Sequence, residues 1–181
     1  MVRGKHVVYF ALQPPPEAAA EALARWESVR ARRRLSAKPV PAARLHVSLN
    51  PIGEFKRPPT PVFEKALEAV AAVEARPFAV AFNRLVTWPS GDPPPLVLSG
   101  DEGVIGVNAL YSTIQRALRR RDMAPRREVE IVPHMTLAYD RAEVPETIVE
   151  PVTWTVTDFV LIHAVHGEGR YDVVGRIPLN G

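Results

Sequence analysis

Apolar residues along this chain switch between two periods. Val7, Val8, Tyr9, Phe10, Ala11 and Leu12 run together and stop just before Pro14, Pro15 and Pro16, which predicts a buried strand over 6–12. Over 17–34 the period changes. Ala19, Ala22, Leu23 and Trp26 share one helical face there. Residues 44–50 alternate strictly, with Leu45, Val47 and Leu49 apolar and His46 and Ser48 between them, the pattern of a half-buried strand. A second helix is predicted over 61–75, with Phe63, Leu67 and Val70 as its stripe and Pro61 at its start, where a missing N–H costs little. Residues 78–86 read as a strand, 88–95 as an exposed loop and 96–99 as a short strand. Val107, Leu110, Tyr111, Ile114 and Leu118 then mark a third helix. Alternation returns over 132–139, where His134 and Thr136 share one face and Met135 and Leu137 the other. Strands over 154–163 and 171–177, joined by a turn at 166–169, close the chain.

Strands and helices therefore mix throughout, and a strand–helix–histidine-strand order occurs once in each half. With 181 residues and no flexible linker, the expectation is one domain over 1–181 built from two similar lobes.

Composition narrows the chemistry. A hydrophobic fraction of 46% fits a globular chain. The absence of cysteine excludes disulfides, thiolate nucleophiles and zinc ribbons. The first apolar run is too short for a signal-peptide core, and no run approaches the roughly 20 residues of a membrane span, so the expected location is the cytoplasm, away from membranes. A net charge of +3 is mild and compatible with a phosphate or nucleic-acid ligand. The 19 Arg against 4 Lys reflect a coding bias more than a binding surface.

The two alternating segments carry the chemistry. Residues i and i+2 of a strand project from one face, about 6.6 Å apart. His46 points with Ser48, and His134 with Thr136. Two such strands across a cleft bracket a phosphorus atom: one imidazole activates water, the other protonates the departing alkoxide, and the hydroxyls donate to the non-bridging oxygens. Spacing alone leaves this reading level with that of two satisfied, half-buried histidines.

Leu45-His46-Val47-Ser48-Leu49 and Pro133-His134-Met135-Thr136-Leu137 resemble the paired His-x-Thr/Ser-hydrophobic motifs of the two-histidine (2H) phosphoesterases. Nearly end to end, the chain is similar to the LigT-like RNA 2′,3′-cyclic phosphodiesterases, also called the 2′-5′ RNA ligase family. The opening strand around Tyr9, the turn to Gly53, the segments 95–98 and 132–140, and the closing strand from Tyr171 all take part. The resemblance implies an α+β, bilobal, pseudo-two-fold fold with an antiparallel sheet and helices in each lobe and a central cleft. It implies opening of a 2′,3′-cyclic phosphate at an RNA or nucleotide end to a 2′-phosphate, with weak reverse ligation in some members and no cofactor or metal. The pseudo-symmetry leaves both assignments of acid and base open; the working choice is His134 activating water and His46 protonating the leaving oxygen. Three departures from the family pattern stand out: Ser48 for the commoner threonine, Asn50-Pro51 after the first motif, and Tyr139 where many members have arginine.

Substrate contacts are expected from Arg126 and Arg127, from Tyr139, and from Arg141 in place of the family arginine, with Tyr9 or Tyr171 stacking on a base. His163 and His166, three apart in extended chain, face opposite sides and are not expected to bind a metal together. His6 is expected to be structural or solvated. The arginine runs 32–34 and 119–121 fall at predicted helix C-termini and complement the helix dipole. The expected partner is RNA or a nucleotide with a cyclic phosphate end, bound by a monomer. Two other readings are a phosphodiesterase for another small cyclic nucleotide, a 2′-5′ oligonucleotide or an ADP-ribose cyclic phosphate, and an RNA- or nucleotide-binding module without turnover.

Overall fold

The computed structural model of the chain describes residues 4–124 and 131–181. Its strands are β1 (Lys5–Leu12), β2 (Val47–Phe55), β3 (Phe78–Thr87), β4 (Pro95–Ser99), β5 (His134–Tyr139), β6 (Thr147–Val156), β7 (Asp158–His166) and β8 (Arg170–Pro178). The helices are α1 (Pro16–Arg33), α2 (Thr60–Val70) and α3 (Ile105–Arg119). All strands pair antiparallel, in the order β6-β3-β4-β5-β2-β1-β7-β8. The fold is α+β, as expected.

The expected sheet in each lobe is realised as two four-stranded halves of one sheet. Their seam is the pair β2 and β5, held by a single registered pair, Val47 opposite Met135. About this seam β1–α1–β2 corresponds to β4–α3–β5, the repeated order read from the sequence. One sheet face is covered by helices: α1 lies on β5 and β6, α3 on β2 and β3, and α2 on α3 and β8. Trp26 of α1 and Ile114 of α3 are fully buried there with Phe10, Val47 and Met135. Apolar burial at roughly 25 cal/mol per Å² makes this layer the main source of stability. On the opposite face a smaller patch of Ala11, Val160, Ile162 and Ala164 packs with Tyr9 and Tyr171.

Several boundaries differ from the expectation. Residues 154–163, expected as one strand, divide at Thr157: β6 ends on one edge of the sheet, and β7 begins in the other half. β6 starts as early as Thr147 and contains Pro151, which an edge strand tolerates because no ladder bond is lost on its open side. α2 stops at Val70, after which a turn closed by Val73 N–H donating to the Val70 carbonyl (2.9 Å) buries Val73. The arginine runs do sit at helix ends, with Arg32 and Arg33 in the last turn of α1 and Arg119 in that of α3. Among the described residues no helix is long and apolar enough to cross a membrane.

His6 and His163 form a structural pair under α2. Their rings are stacked with centroids 5.0 Å apart, His6 Nδ1 lies 2.8 Å from His163 Nε2, and Phe63 closes the site. Burial, together with the neighbouring His6, holds the His163 pKa below its ordinary value. His166 ends β7 on the exposed side, so the two histidines do not converge.

Candidate active site

A cleft of about 850 Å³ opens on the sheet face away from the helices, across the β2/β5 seam. It is lined by His46, Ser48, His134 and Thr136 together with Tyr9 and Tyr171. Each imidazole is aimed by the same local device. His46 follows a 3-10 turn (Ala42–Arg44) and directs Nδ1 to the Arg44 carbonyl at 2.8 Å. His134 opens β5 and directs Nδ1 to the Val132 carbonyl, also at 2.8 Å. A ring whose Nδ1–H donates to a carbonyl keeps its Nε2 lone pair for chemistry when neutral. Ser48 is exposed and Thr136 half-buried, both on the face of their histidine, while Val47, Leu49, Met135 and Leu137 anchor the strands on the other face.

The surroundings of the two rings differ. His46 lies between Tyr9 and Tyr171, at ring-centroid distances of 5.3 and 5.6 Å, and its Nε2 is 3.2 Å from the Tyr9 hydroxyl. His134 packs on Trp88, with centroids 4.1 Å apart. Burial lowers the pKa of both imidazoles. For His46 the positive charges of His134 and Arg44 add to that, against the hydrogen bond to the Arg44 carbonyl; for His134 the Val132 carbonyl opposes it. Burial also raises the Tyr9 phenol far above its usual range and pushes Tyr171 up to about 12, so both stay neutral hydroxyls.

Three cations, Lys38, Arg44 and Arg170, line the cleft, and no carboxylate does among the described residues. Arg170 is held by Asp172 at 2.5 Å. Lys38 sits on a segment clipped to β5. The buried Asp140 carboxylate accepts from the backbone N–H groups of Ser36 (3.0 Å), Ala37 (2.9 Å) and Ala142 (2.9 Å), and Val40 N–H donates to the Leu137 carbonyl at 2.7 Å. Those N–H bonds hold the Asp140 pKa below the ordinary carboxylate range.

Of the residues expected to touch substrate, Tyr9, Tyr139 and Tyr171 line the cleft. Arg141 does not: it pairs with Asp92 at 3.2 Å on the surface. Arg126 and Arg127 lie outside the described residues. Asn50 is turned to the core, where its Nδ2 donates to Gln115 Oε1 (2.8 Å) and the Tyr111 carbonyl (3.3 Å), so the departure at this position fastens β2 to α3. Lys38, Arg44 and Arg170 were missed. Arg44 carried one signal, its place two residues before a histidine motif; Lys38 carried none, since only the Asp140 clamp brings it there. Among the described residues no group of three or more His, Asp or Glu is arranged to hold a metal ion.

Two histidine–hydroxyl strands abutting at the seam of a pseudo-symmetric antiparallel sheet define the two-histidine phosphoesterase class. The family model of the 2′-5′ RNA ligase superfamily matches residues 14–168, and the chain belongs to that family. Among solved structures it is similar to Escherichia coli LigT complexed with ATP, at 23% identity and a TM-score of 0.73, covering 98% of this chain and 99% of that one. The same protein complexed with 3′-AMP gives 22% identity and a TM-score of 0.73 over the same shares. TT0787 of Thermus thermophilus is 26% identical with a TM-score of 0.66, covering 97% of this chain and 98% of that one. No curated protein sequence matches the chain.

Proposed function

We propose that the protein hydrolyses the 2′,3′-cyclic phosphate of an RNA or nucleotide end to a 2′-phosphate, without a metal. One observation carries the reading: two imidazoles with matching Nδ1 anchors share a cationic cleft with two hydroxyls. Membership of the family supports phosphodiester chemistry, and the ATP and 3′-AMP complexes of LigT support a nucleotide ligand.

In this mechanism water attacks phosphorus and gives its proton to His134 Nε2. The bond to the 3′ oxygen breaks, and that oxygen takes a proton from His46 Nε2, leaving a 2′-phosphate monoester. Ser48 and Thr136 hydroxyls donate to the non-bridging oxygens as charge builds on them. The surroundings favour this direction. Among the described residues His134 Nε2 has no hydrogen-bond partner, which suits it to take a proton from water. The Tyr9 oxygen beside His46 Nε2 can accept from the imidazolium. Substrate charge works against the depressed pKa values, favouring protonation of the pair when bound.

The test is turnover of 2′,3′-cyclic nucleotides, a 2′-5′ dinucleotide and an RNA oligomer with a cyclic phosphate end, all in excess chelator. Release of a 2′-phosphate from the cyclic substrates is expected. Turnover of the 2′-5′ dinucleotide alone contradicts the substrate assignment, and nucleotide binding without any product contradicts catalysis.

A further inference from the structure

Strict alternation from His134 would turn Tyr139 to the buried face with Met135 and Leu137. A bulge prevents it. Val97 of β4 pairs with Thr136 and Leu96 with Ala138, so one residue on β4 spans two on β5. Both Leu137 and Ala138 are then buried, and Tyr139 returns to the cleft, 52% exposed. The same slip occurs in the other half. Between the pairs Ala11–Ser48 and Tyr9–Pro51, β1 advances two residues and β2 three. Leu49 and Asn50 are buried, and Pro51 returns to the cleft.

The fifth position after each histidine is therefore re-aimed into the cleft by matching bulges, and there the halves part: proline in one, tyrosine in the other. Tyr139 makes no ring contact or hydrogen bond with the described residues, leaving a large aromatic face open to the cleft. The clipped segment carrying Lys38 adjoins it, since Pro39 bridges to Ala138.

We propose that Tyr139 is the stacking platform for the substrate's nucleobase, and that its contrast with Pro51 decides which half of a pseudo-symmetric cleft the nucleoside enters. This rests on the reading of the cleft as a nucleotide phosphodiesterase site. An aromatic face suits this because every base offers a π surface, and it leaves the reacting phosphate to the histidine–hydroxyl groups.

The experiment compares wild type, Tyr139→Ala and Tyr139→Phe on 2′,3′-cyclic AMP and on its abasic counterpart, methyl ribofuranoside 2,3-cyclic phosphate. Tyr139→Ala should lose about 5- to 150-fold in kcat/KM on cyclic AMP, the range a base–aromatic stack covers, with the loss mainly in KM. It should match wild type on the abasic ester, and Tyr139→Phe should behave as wild type on both. Equal losses on both substrates, or none on cyclic AMP, overturn the proposal. If wild type turns over neither ester, the catalytic reading fails by itself. Calorimetric binding of adenosine 2′-monophosphate then decides the stacking claim: weaker binding to Tyr139→Ala but not Tyr139→Phe supports it, and equal binding to all three overturns it.

Discussion

The Tyr9 hydroxyl lies 3.2 Å from His46 Nε2, whereas the aromatic ring packed on His134 belongs to Trp88, which carries no hydroxyl. This is the main difference between two otherwise matched imidazoles. Tyr9→Phe keeps the ring that packs on His46 and removes only the oxygen. A single neutral hydrogen bond is worth about 0.5–1.5 kcal/mol, so kcat/KM should fall about 2- to 10-fold with little change in Tm. Steady-state kinetics with a parallel melt checks this; an unchanged rate would mean that the hydroxyl does not serve His46.

The pH–rate profile follows from the direction of the two shifts. Both imidazoles are held below 6.5, chiefly by burial. The base must be neutral, so activity rises with pH through its lowered pKa. The acid must be protonated, so activity falls as pH rises through a pKa that is also lowered. The kcat/KM profile, which reports the free enzyme, should be a bell centred below pH 6.5, with apparent values belonging to the pair. Bound phosphate favours the protonated forms, so the kcat profile should lie to higher pH. A kcat/KM maximum above about pH 7.5 would count against the shifts.

Assignment of acid and base is read by the leaving group. A p-nitrophenyl nucleotide diester expels a phenolate that needs no proton. His46→Ala should regain most of its lost rate on this substrate relative to wild type, while His134→Ala should remain impaired by about 10²- to 10⁴-fold. The reverse pattern would exchange the roles.

Asp140 is buried; it holds the Lys38 segment against β5 through the backbone N–H groups of Ser36 and Ala37, and accepts a third from Ala142 just after β5. Asp140→Ala leaves those donors unpaired, and loss of a hydrogen bond to a charged group costs about 1.5–3 kcal/mol. A lower Tm is expected, with weaker nucleotide binding as Lys38 is released. Because the folded-state pKa is depressed, the contribution is present above the ordinary aspartate pKa and fades as pH falls through the folded value. Thermal melts from about pH 3 to 7 should therefore show wild type converging on the variant in acid.

Local pattern made much of this legible before any coordinates. Alternation around His46 and His134 announced which side chains share a face, and helix-period stripes announced α1 and α3. What escaped depends on partners distant in sequence. Tyr139 is expected at the cleft only through the family resemblance: alternation alone assigns it to the buried face, because the bulge that turns it outward exists only where β4 pairs across it. Pro151 hid the start of β6, since a proline is compatible with a strand only once that strand is known to lie on the sheet edge. Lys38 reaches the cleft through a carboxylate about a hundred residues away. Arg141 illustrates the converse: near the second motif in sequence, it is bound to Asp92 instead.

The most direct measurement is phosphorus NMR of a 2′,3′-cyclic nucleotide incubated in excess chelator with wild type, His46→Ala and His134→Ala. The expected result is conversion by wild type to the 2′-monophosphate alone, and a rate at least about 10²-fold lower in each variant. Full activity in either variant, or loss of wild-type activity on chelation, would contradict the account.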